Sequence, residues 1–222
     1  MWQGLYDELK QHDFTIVAVA MDSRADASRQ WIEAAKTQYP CLIDRGHRVA
    51  ELYNMVNVPQ SVWIDETGRI VRPTESAGAV DSFRSMDRKT FAMSPEAAEI
   101  RTKARELYLN ALRDWVAKGP ASDYAFDRKA AAAHLKLPTP EVALANANFR
   151  LGEYLHELGR KAEAEPFLQE AIRLRPDSWN LWRQAADLEQ VGKASSPEFW
   201  ARVDALGDKH YYAPVDMKGM PR

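Results

Sequence analysis

The spacing of hydrophobic residues changes several times along the chain, and each change predicts a different element. Apolar residues recur at helical spacing over residues 2–9, which indicates an amphipathic helix. Residues 14–21 form a continuous apolar, β-branched run that is typical of a strand buried on both faces. Asp22 and Ser23 are suited to cap a following helix, whose apolar stripe includes Trp31.

Two short apolar runs follow, and the turn between them predicts a β-hairpin. Residues 61–64 and 69–71 have strand composition, and Gly68 ends the acidic turn where a positive φ is needed. A short strand is also expected at residues 41–43 and one or two helical turns at residues 48–53. The first 72 residues therefore predict the order helix, strand, helix, short strand, helix, strand, strand.

A change of pattern after the hairpin predicts a second, helical domain. Ser94 as a cap, Pro95 in the first turn and Glu96 beside it begin a strong helix that runs to about Lys118. A short alanine-rich helix follows near residues 130–137. We expect an α/β domain at residues 1–75, a linker at 76–93 and an all-α domain at 94–222.

Within the helical domain, residues 143–192 resemble the tetratricopeptide repeat (TPR), a unit of two antiparallel helices. In the expected packing, Gly152 and Ala171 allow the helices to approach closely, while Leu151 and Leu168 fill the space between them. The positions that match the repeat are Asn148, Leu151, Gly152, Leu155, Gly159, Ala164, Leu168, Ala171, Ile172 and Pro176. Leu155 departs from the tyrosine usual in that family.

The concave side of such a repeat is a candidate surface for a protein partner. The residues expected on that side are Asn146, Phe149, Glu153 and His156. A second group is aromatic and is interpreted as packing between helices, or as part of a peptide groove: Trp179, Trp182, Phe199 and Trp200.

Composition and charge exclude several classes of function. The net charge is −2 and no strongly basic run is present, which argues against nucleic acid as the main partner. No apolar segment approaches the roughly 20 residues needed to span a bilayer. The first residues lack the pattern of a secretory signal, so a cytoplasmic location is expected.

The side chains that usually carry chemistry are few. A single cysteine, Cys41, excludes an internal disulfide and a cysteine-based metal cluster. The histidines show no metal-ligand spacing, and solvent-facing or capping roles are expected for them. No nucleophile elbow and no phosphate-binding glycine loop occur, so neither a metal nor a cofactor is expected.

The order of these elements, together with the segments YPCLIDRG and VNVPQSVWIDETGRIV, resembles the thioredoxin-like family, in particular TlpA/ResA-like proteins and AhpC/TSA-related redoxins. The resemblance covers residues 2–71 and implies an α/β thioredoxin-like fold. It further implies that Pro59 follows a cis peptide bond and that the Val58 backbone pairs with an extended substrate strand. Val58 and Pro59 are therefore the expected substrate-binding residues.

The same resemblance implies a strand and a Cys-x-x-Cys motif that these residues lack. In the family, that strand lies between those corresponding to residues 14–21 and 61–64, and the motif stands at the amino end of the first long helix. We expect the motif to be encoded upstream of Met1. A selenocysteine codon read as a stop is one possible origin of such a start.

Two alternatives remain at this point. The leading interpretation is a thiol-disulfide or selenol-disulfide oxidoreductase that acts on a protein, small disulfide or peroxide substrate and is inactive without its nucleophile. The rival is a non-catalytic adaptor that uses the thioredoxin-like part as a scaffold and the helical repeats as a binding surface. Cys41 is expected to be core filler, with a role as a reactive thiol as the lesser possibility.

Overall fold

The structure is a computed structural model that describes residues 1–24 and 26–221. Its helices are α1 (Trp2–Leu9), α2 (Arg29–Ala35), α3 (Arg48–Leu52), α4 (Pro95–Lys118), α5 (Arg128–His134), α6 (Pro140–Glu157), α7 (Lys161–Leu174), α8 (Trp179–Glu189) and α9 (Pro197–Asp204). Its strands are β1 (Ala18–Met21), β2 (Cys41–Asp44), β3 (Gln60–Ile64) and β4 (Ile70–Ser76). Short 3-10 turns occupy Asp81–Ser85, Gly119–Ala121 and Lys193–Ser195.

The chain forms two compact units, and each consists of separate stretches of sequence. The first unit contains Met1–Phe14, Pro59–Leu135 and the stretch from Ala201 to the end of the described chain. The second unit contains Thr15–Val58 and Lys136–Trp200. The predicted linker at residues 76–93 divides the chain along its sequence, whereas these units are defined by contacts in space. The predicted linker therefore stays a prediction.

The described strands pair into two sheets of two strands. Strand β1 runs parallel to β2, with Ala18 opposite Cys41 and Met21 opposite Asp44. Strand β3 pairs antiparallel with β4, across the predicted turn at Gly68, whose φ is +81°. The expectation that residues 14–21 are buried on both faces is wrong. Every residue of β1 is half-buried, since β2 is its only partner strand among the described residues.

The core of the first unit joins its opening helix, its hairpin and its long helix. Leu5 and Leu9 of α1 pack in one buried cluster with Trp63 of β3 and with Tyr108 and Leu112 of α4. The predicted start of α4 is confirmed, because the Ser94 hydroxyl accepts a hydrogen bond from the Ala97 N–H and so caps the helix.

A buried polar network crosses this core. Arg72 is 1% exposed and forms a two-point ion pair with Glu75, at 2.8 Å from both Nε and Nη2. The Tyr108 hydroxyl donates to Glu75 and accepts from the Trp63 indole N–H at 2.8 Å. The remaining Arg72 donors bind the Tyr124 and Asp216 carbonyls. All three guanidinium nitrogens are therefore satisfied, which is what a buried arginine requires.

The helical hairpin of α6 and α7 forms the core of the second unit. A Cβ built on Gly152 would lie 2.7 Å from the Leu168 side chain, so only glycine permits this approach of the two helices. Leu155 and Leu168 are buried between them, and Ala171 is fully buried. The expectation that Leu151 fills this space is wrong, since it lies on the outer face of α6 and is 42% exposed.

The segment after β1 differs from its prediction. Helix α2 begins at Arg29, beyond the reach of Asp22 and Ser23, and its N-cap Ser28 makes no side-chain capping bond. No residue of α2 is buried, and Trp31 is 70% exposed, so the predicted apolar stripe does not enter a core.

The aromatic group of the second unit packs as predicted between helices. Trp179 and Phe199 are buried, with ring centroids 5.8 Å apart, and Trp182 and Trp200 contact the Phe199 ring. These rings stabilise the contact between α8 and α9, which favours the core interpretation over a peptide groove.

Candidate functional site

The segment expected to bind substrate lies immediately before β3. Val58 is 40% exposed, and its N–H donates to the Asn57 side-chain oxygen at 2.9 Å. Pro59 is exposed, and its carbonyl accepts from the Ala77 N–H at 3.2 Å. The cis geometry of the Val58–Pro59 bond and the pairing of Val58 with a substrate stay predictions.

Helix α1 and strand β3 share one core within the first unit, through Leu5, Leu9 and Trp63. The thioredoxin-like resemblance implies that the bend before β3 lies against the amino end of α1, and that contact stays a prediction. Pro59 therefore stands at the start of a strand that packs with the expected helix.

Cys41 begins β2 and is half-buried, so it is less enclosed than a core filler. Its Sγ lies 3.0 Å from the Thr37 hydroxyl, a neutral partner. A nucleophilic cysteine normally has a cation or a helix amino end to stabilise its thiolate. The contact with Thr37 supplies neither, and the reactive role of Cys41 stays the lesser possibility.

The residues predicted for a partner groove lie against another part of their own unit. Asn146, Phe149 and Glu153 are buried and His156 is half-buried. The Phe149 ring meets the His47 imidazole edge-on, with ring centroids 5.3 Å apart. Because residues of the segment 15–58 cover this face, a separate protein would have to displace them in order to bind here.

Behind this contact lies a buried polar cluster that the sequence did not predict. The Ser23 hydroxyl donates to the Glu153 carboxylate and lies 2.9 Å from His47 Nε2. A hydroxyl has one proton, so with Glu153 ionised Ser23 accepts from His47, and Nε2 carries the imidazole proton. His47 Nδ1 is then an acceptor, and it is buried without a partner in the described chain.

Burial moves the pKa values of both titratable members of this cluster. Desolvation lowers the pKa of His47, although Asp44 and Asp22 act in the opposite direction. Desolvation raises the pKa of Glu153 to about 7, against the effect of its hydrogen bond from Ser23. Both shifts favour the neutral forms, so the cluster can hold or release a proton near neutral pH.

A cleft of about 180 Å³ borders His47 within the second unit. Gln184 of α8 forms part of its wall and connects it to the end of β1, accepting from the Ser23 N–H at 2.9 Å and donating to the Met21 carbonyl. Asp187 and Ser195 add polar groups to the lining. The cleft has room for a small polar molecule beside a buried imidazole.

Sequence reasoning missed this cluster for identifiable reasons. Ser23 was interpreted as a cap and His47 as solvent-facing or capping, yet both are buried. His47 does occupy the N-cap position of α3, with φ +52°, but it makes no side-chain capping bond. The only local signal was Gly46 before a histidine, which permits a tight turn and indicates nothing about burial.

The described residues offer neither a metal site nor a membrane-spanning helix. Within residues 1–24 and 26–221, no group of three or more His, Cys, Asp or Glu side chains is placed to hold a metal ion. Over the same residues, no helix combines the length and apolar character required to cross a bilayer.

Comparison with known proteins gives a family match in the amino-terminal region. The sequence model of the AhpC/TSA family matches residues 2–72, roughly a third of the chain. No curated protein and no solved structure matches. The family match supports a thioredoxin-like, redoxin-type domain at the amino terminus, and a mostly helical region follows it.

Proposed function

We propose that this protein is a thioredoxin-like oxidoreductase of the thiol-disulfide or selenol-disulfide type, and that Val58 and Pro59 lie on the substrate side of its site. The observation that carries the proposal is the AhpC/TSA family match over residues 2–72. The shared core of α1 and β3 supports it, because that core brings together the two elements that border the redox centre in this fold.

In the proposed reaction, a thiolate or selenolate at the amino end of α1 attacks one sulfur of a substrate disulfide. A mixed disulfide or selenenyl sulfide forms, and the released substrate thiolate takes up a proton. A second thiol then attacks the sulfur or selenium of the nucleophile, which releases the second substrate thiol and leaves a protein disulfide or selenenyl sulfide. A dithiol reductant supplies the two electrons that regenerate the nucleophile and is itself oxidised to a disulfide. The partial positive charge at a helix amino end stabilises the attacking anion.

The nucleophile is the part of this proposal that the 222 residues do not supply. They contain one cysteine, so a dithiol cycle cannot operate on them alone. The resemblance implies an attacking residue at the amino end of α1, in a motif that these residues lack. The proposed substrate is a protein disulfide, a small disulfide or a peroxide.

The test compares reduction of insulin disulfides by the 222-residue chain and by a form extended through the upstream reading frame. We expect turnover only in the extended form. In that form, Pro59→Ala should lower turnover about tenfold or more by misplacing the substrate strand, whereas Pro138→Ala, also at an exposed proline, should leave it unchanged. An upstream frame with an ordinary stop codon and no recoding element would overturn the proposal.

A second function is favoured by the helical hairpin of α6 and α7, whose close packing at Gly152 resembles a repeat unit. In this alternative, the TPR-like region at residues 143–192 is an adaptor that binds a protein through the face bearing Asn146, Phe149, Glu153 and His156, after displacement of the segment 15–58 that covers this face. Absence of turnover in both forms of the chain would favour the adaptor.

A further inference from the structure

Arg175, just beyond the end of α7, is a buried cation with an incomplete set of partners. It is 3% exposed. Its Nη1 donates to Asn146 Oδ1 at 3.3 Å, and its Nη2 donates to Asn54 Oδ1. Its Nε is buried and has no hydrogen-bond partner in the described chain.

The partners of Arg175 are neutral, which is unusual for a buried guanidinium. Buried charges are normally paired with an opposite charge, because transfer of a charge out of water is strongly unfavourable. Two amide oxygens satisfy hydrogen bonds without neutralising the charge. Burial lowers the pKa of Arg175, while Asp177 favours the charged form without contacting the guanidinium.

A small cavity adjoins Arg175, lined also by His47, Phe149, Arg150, Ser178 and Asn180. Its free volume is about 10 Å³, close to the roughly 10–15 Å³ that one water-sized particle requires. The Ser178 hydroxyl accepts from the Leu181 N–H, so its own proton remains able to donate into the cavity.

The charge balance of the lining is positive. Glu51 is the carboxylate of the cavity wall, and it already binds Arg48 at 2.7 Å and Arg150 at 3.1 Å. Glu51 therefore does not form an ion pair with Arg175. A cavity of this size and charge, with an unused guanidinium donor, fits an anion better than a neutral particle.

We propose that this cavity binds a small monovalent anion through Arg175 Nε, with the Ser178 hydroxyl as a second donor. The anion is a halide or a single carboxylate oxygen, since each Nη already donates to an amide oxygen and the volume admits one particle. This site is independent of the proposed oxidoreductase function, and it stabilises the second unit by compensating the Arg175 charge.

The first test is thermal unfolding of the full chain at constant ionic strength, with sodium gluconate replaced stepwise by chloride, bromide or acetate. An anion present at tenfold its Kd should raise Tm by roughly 3–5 °C. A response to halides alone supports a halide site, and a response to acetate as well supports a carboxylate site. No response to any of the three anions would overturn the proposal.

Matched variants separate the site from general salt effects. Arg175→Met should abolish the rise in Tm, whereas Arg173→Met, at an exposed arginine on the same helix, should retain it. If Arg175→Met does not fold, wild-type crystals soaked in bromide provide the second measurement. Anomalous density within about 3.5 Å of Arg175 Nε supports the site, and an ordered water there, unchanged by bromide, refutes it.

Discussion

Both compact units bury an arginine, but the two guanidinium groups differ in how fully they are hydrogen-bonded and neutralised. In the first unit, every guanidinium nitrogen of Arg72 has an acceptor, and Glu75 neutralises the charge. In the second unit, Arg175 has two neutral amide partners and an unused Nε. Arg72 also lies over the Phe126 ring, 4.3 Å from its centroid, which fills the remaining space around it.

The difference indicates which polar residues are structural and which are available for binding. In the Arg72 network each guanidinium nitrogen already donates to a protein acceptor, and Tyr108 of α4 joins it through Glu75, so its role is to hold α4 on the β3–β4 hairpin. The buried atoms of the second unit that have no hydrogen-bond partner among the described residues include His47 Nδ1 and Arg175 Nε, and these two residues line cavities. A binding site requires polar atoms that border a cavity and have no hydrogen-bond partner within the protein.

The largest effect is expected from breaking the complete network. Arg72→Met keeps most of the side-chain volume but leaves Glu75 buried without its cation. We expect the free energy of unfolding to fall by about 3–5 kcal/mol, measured by urea denaturation. Arg69→Met, at an exposed arginine of the same hairpin, should change it by less than about 0.5 kcal/mol. Equal effects of the two substitutions would contradict the structural role of Arg72.

The second largest expected effect is a pH dependence of the free energy of unfolding that comes from Glu153. Its carboxyl group loses its proton near pH 4.5 in the unfolded chain and at about 7 in the folded one. Between these values the folded state holds more protons, so this group makes the free energy of unfolding fall as pH rises. Relative to Glu153→Gln, the wild type should lose on the order of 3 kcal/mol between pH 4.5 and pH 8.

The lowered pKa of His47 acts in the opposite direction below pH 6.5, which is why the comparison with Glu153→Gln is needed. Direct titration of the Glu153 carboxyl carbon by ¹³C NMR provides a second check, and the same variant assigns the resonance. A midpoint near pH 4.5 would show that the cluster is solvated rather than buried.

The smallest expected change in the free energy of unfolding comes from replacing glycines. It distinguishes Gly152, which helix packing requires, from Gly4, which packing does not require. Gly152→Ala places a methyl group against Leu168, so we expect a loss of about 1–2 kcal/mol despite the better helix propensity of alanine. Gly4→Ala in α1 meets no atom within 4 Å and should stabilise the protein by about 0.5–1 kcal/mol. Both changes are measured by urea denaturation, and a gain in both would show that α6 and α7 separate easily.

Elements with strong local signals were predicted well. The cap at Ser94 placed α4 at its observed start, and the turn at Gly68 placed the hairpin. The α6–α7 hairpin followed from helical spacing, although Leu151 faces outward. These features depend on residues a few positions apart, where propensity, capping and turn chemistry act directly.

The candidate sites could not be predicted, because they depend on contacts between distant residues. Ser23 and Glu153 are 130 positions apart, and Arg175 and Asn54 are 121 apart. Neither contact leaves a periodic pattern or a motif. The pairing of the strands into two sheets also depends on which partners are present rather than on the sequence of any one strand.

The order in which the chain is made has a consequence for how it can fold. Each unit is built from stretches interrupted by the other, so the first unit includes both residues 1–14 and residues beyond Ala201. A ribosome therefore releases the beginning of this unit long before its end, and the unit cannot be completed during translation. Its opening helix packs with β3 and α4, so its apolar face stays exposed to chaperones and to neighbouring chains at least until α4 has been synthesised.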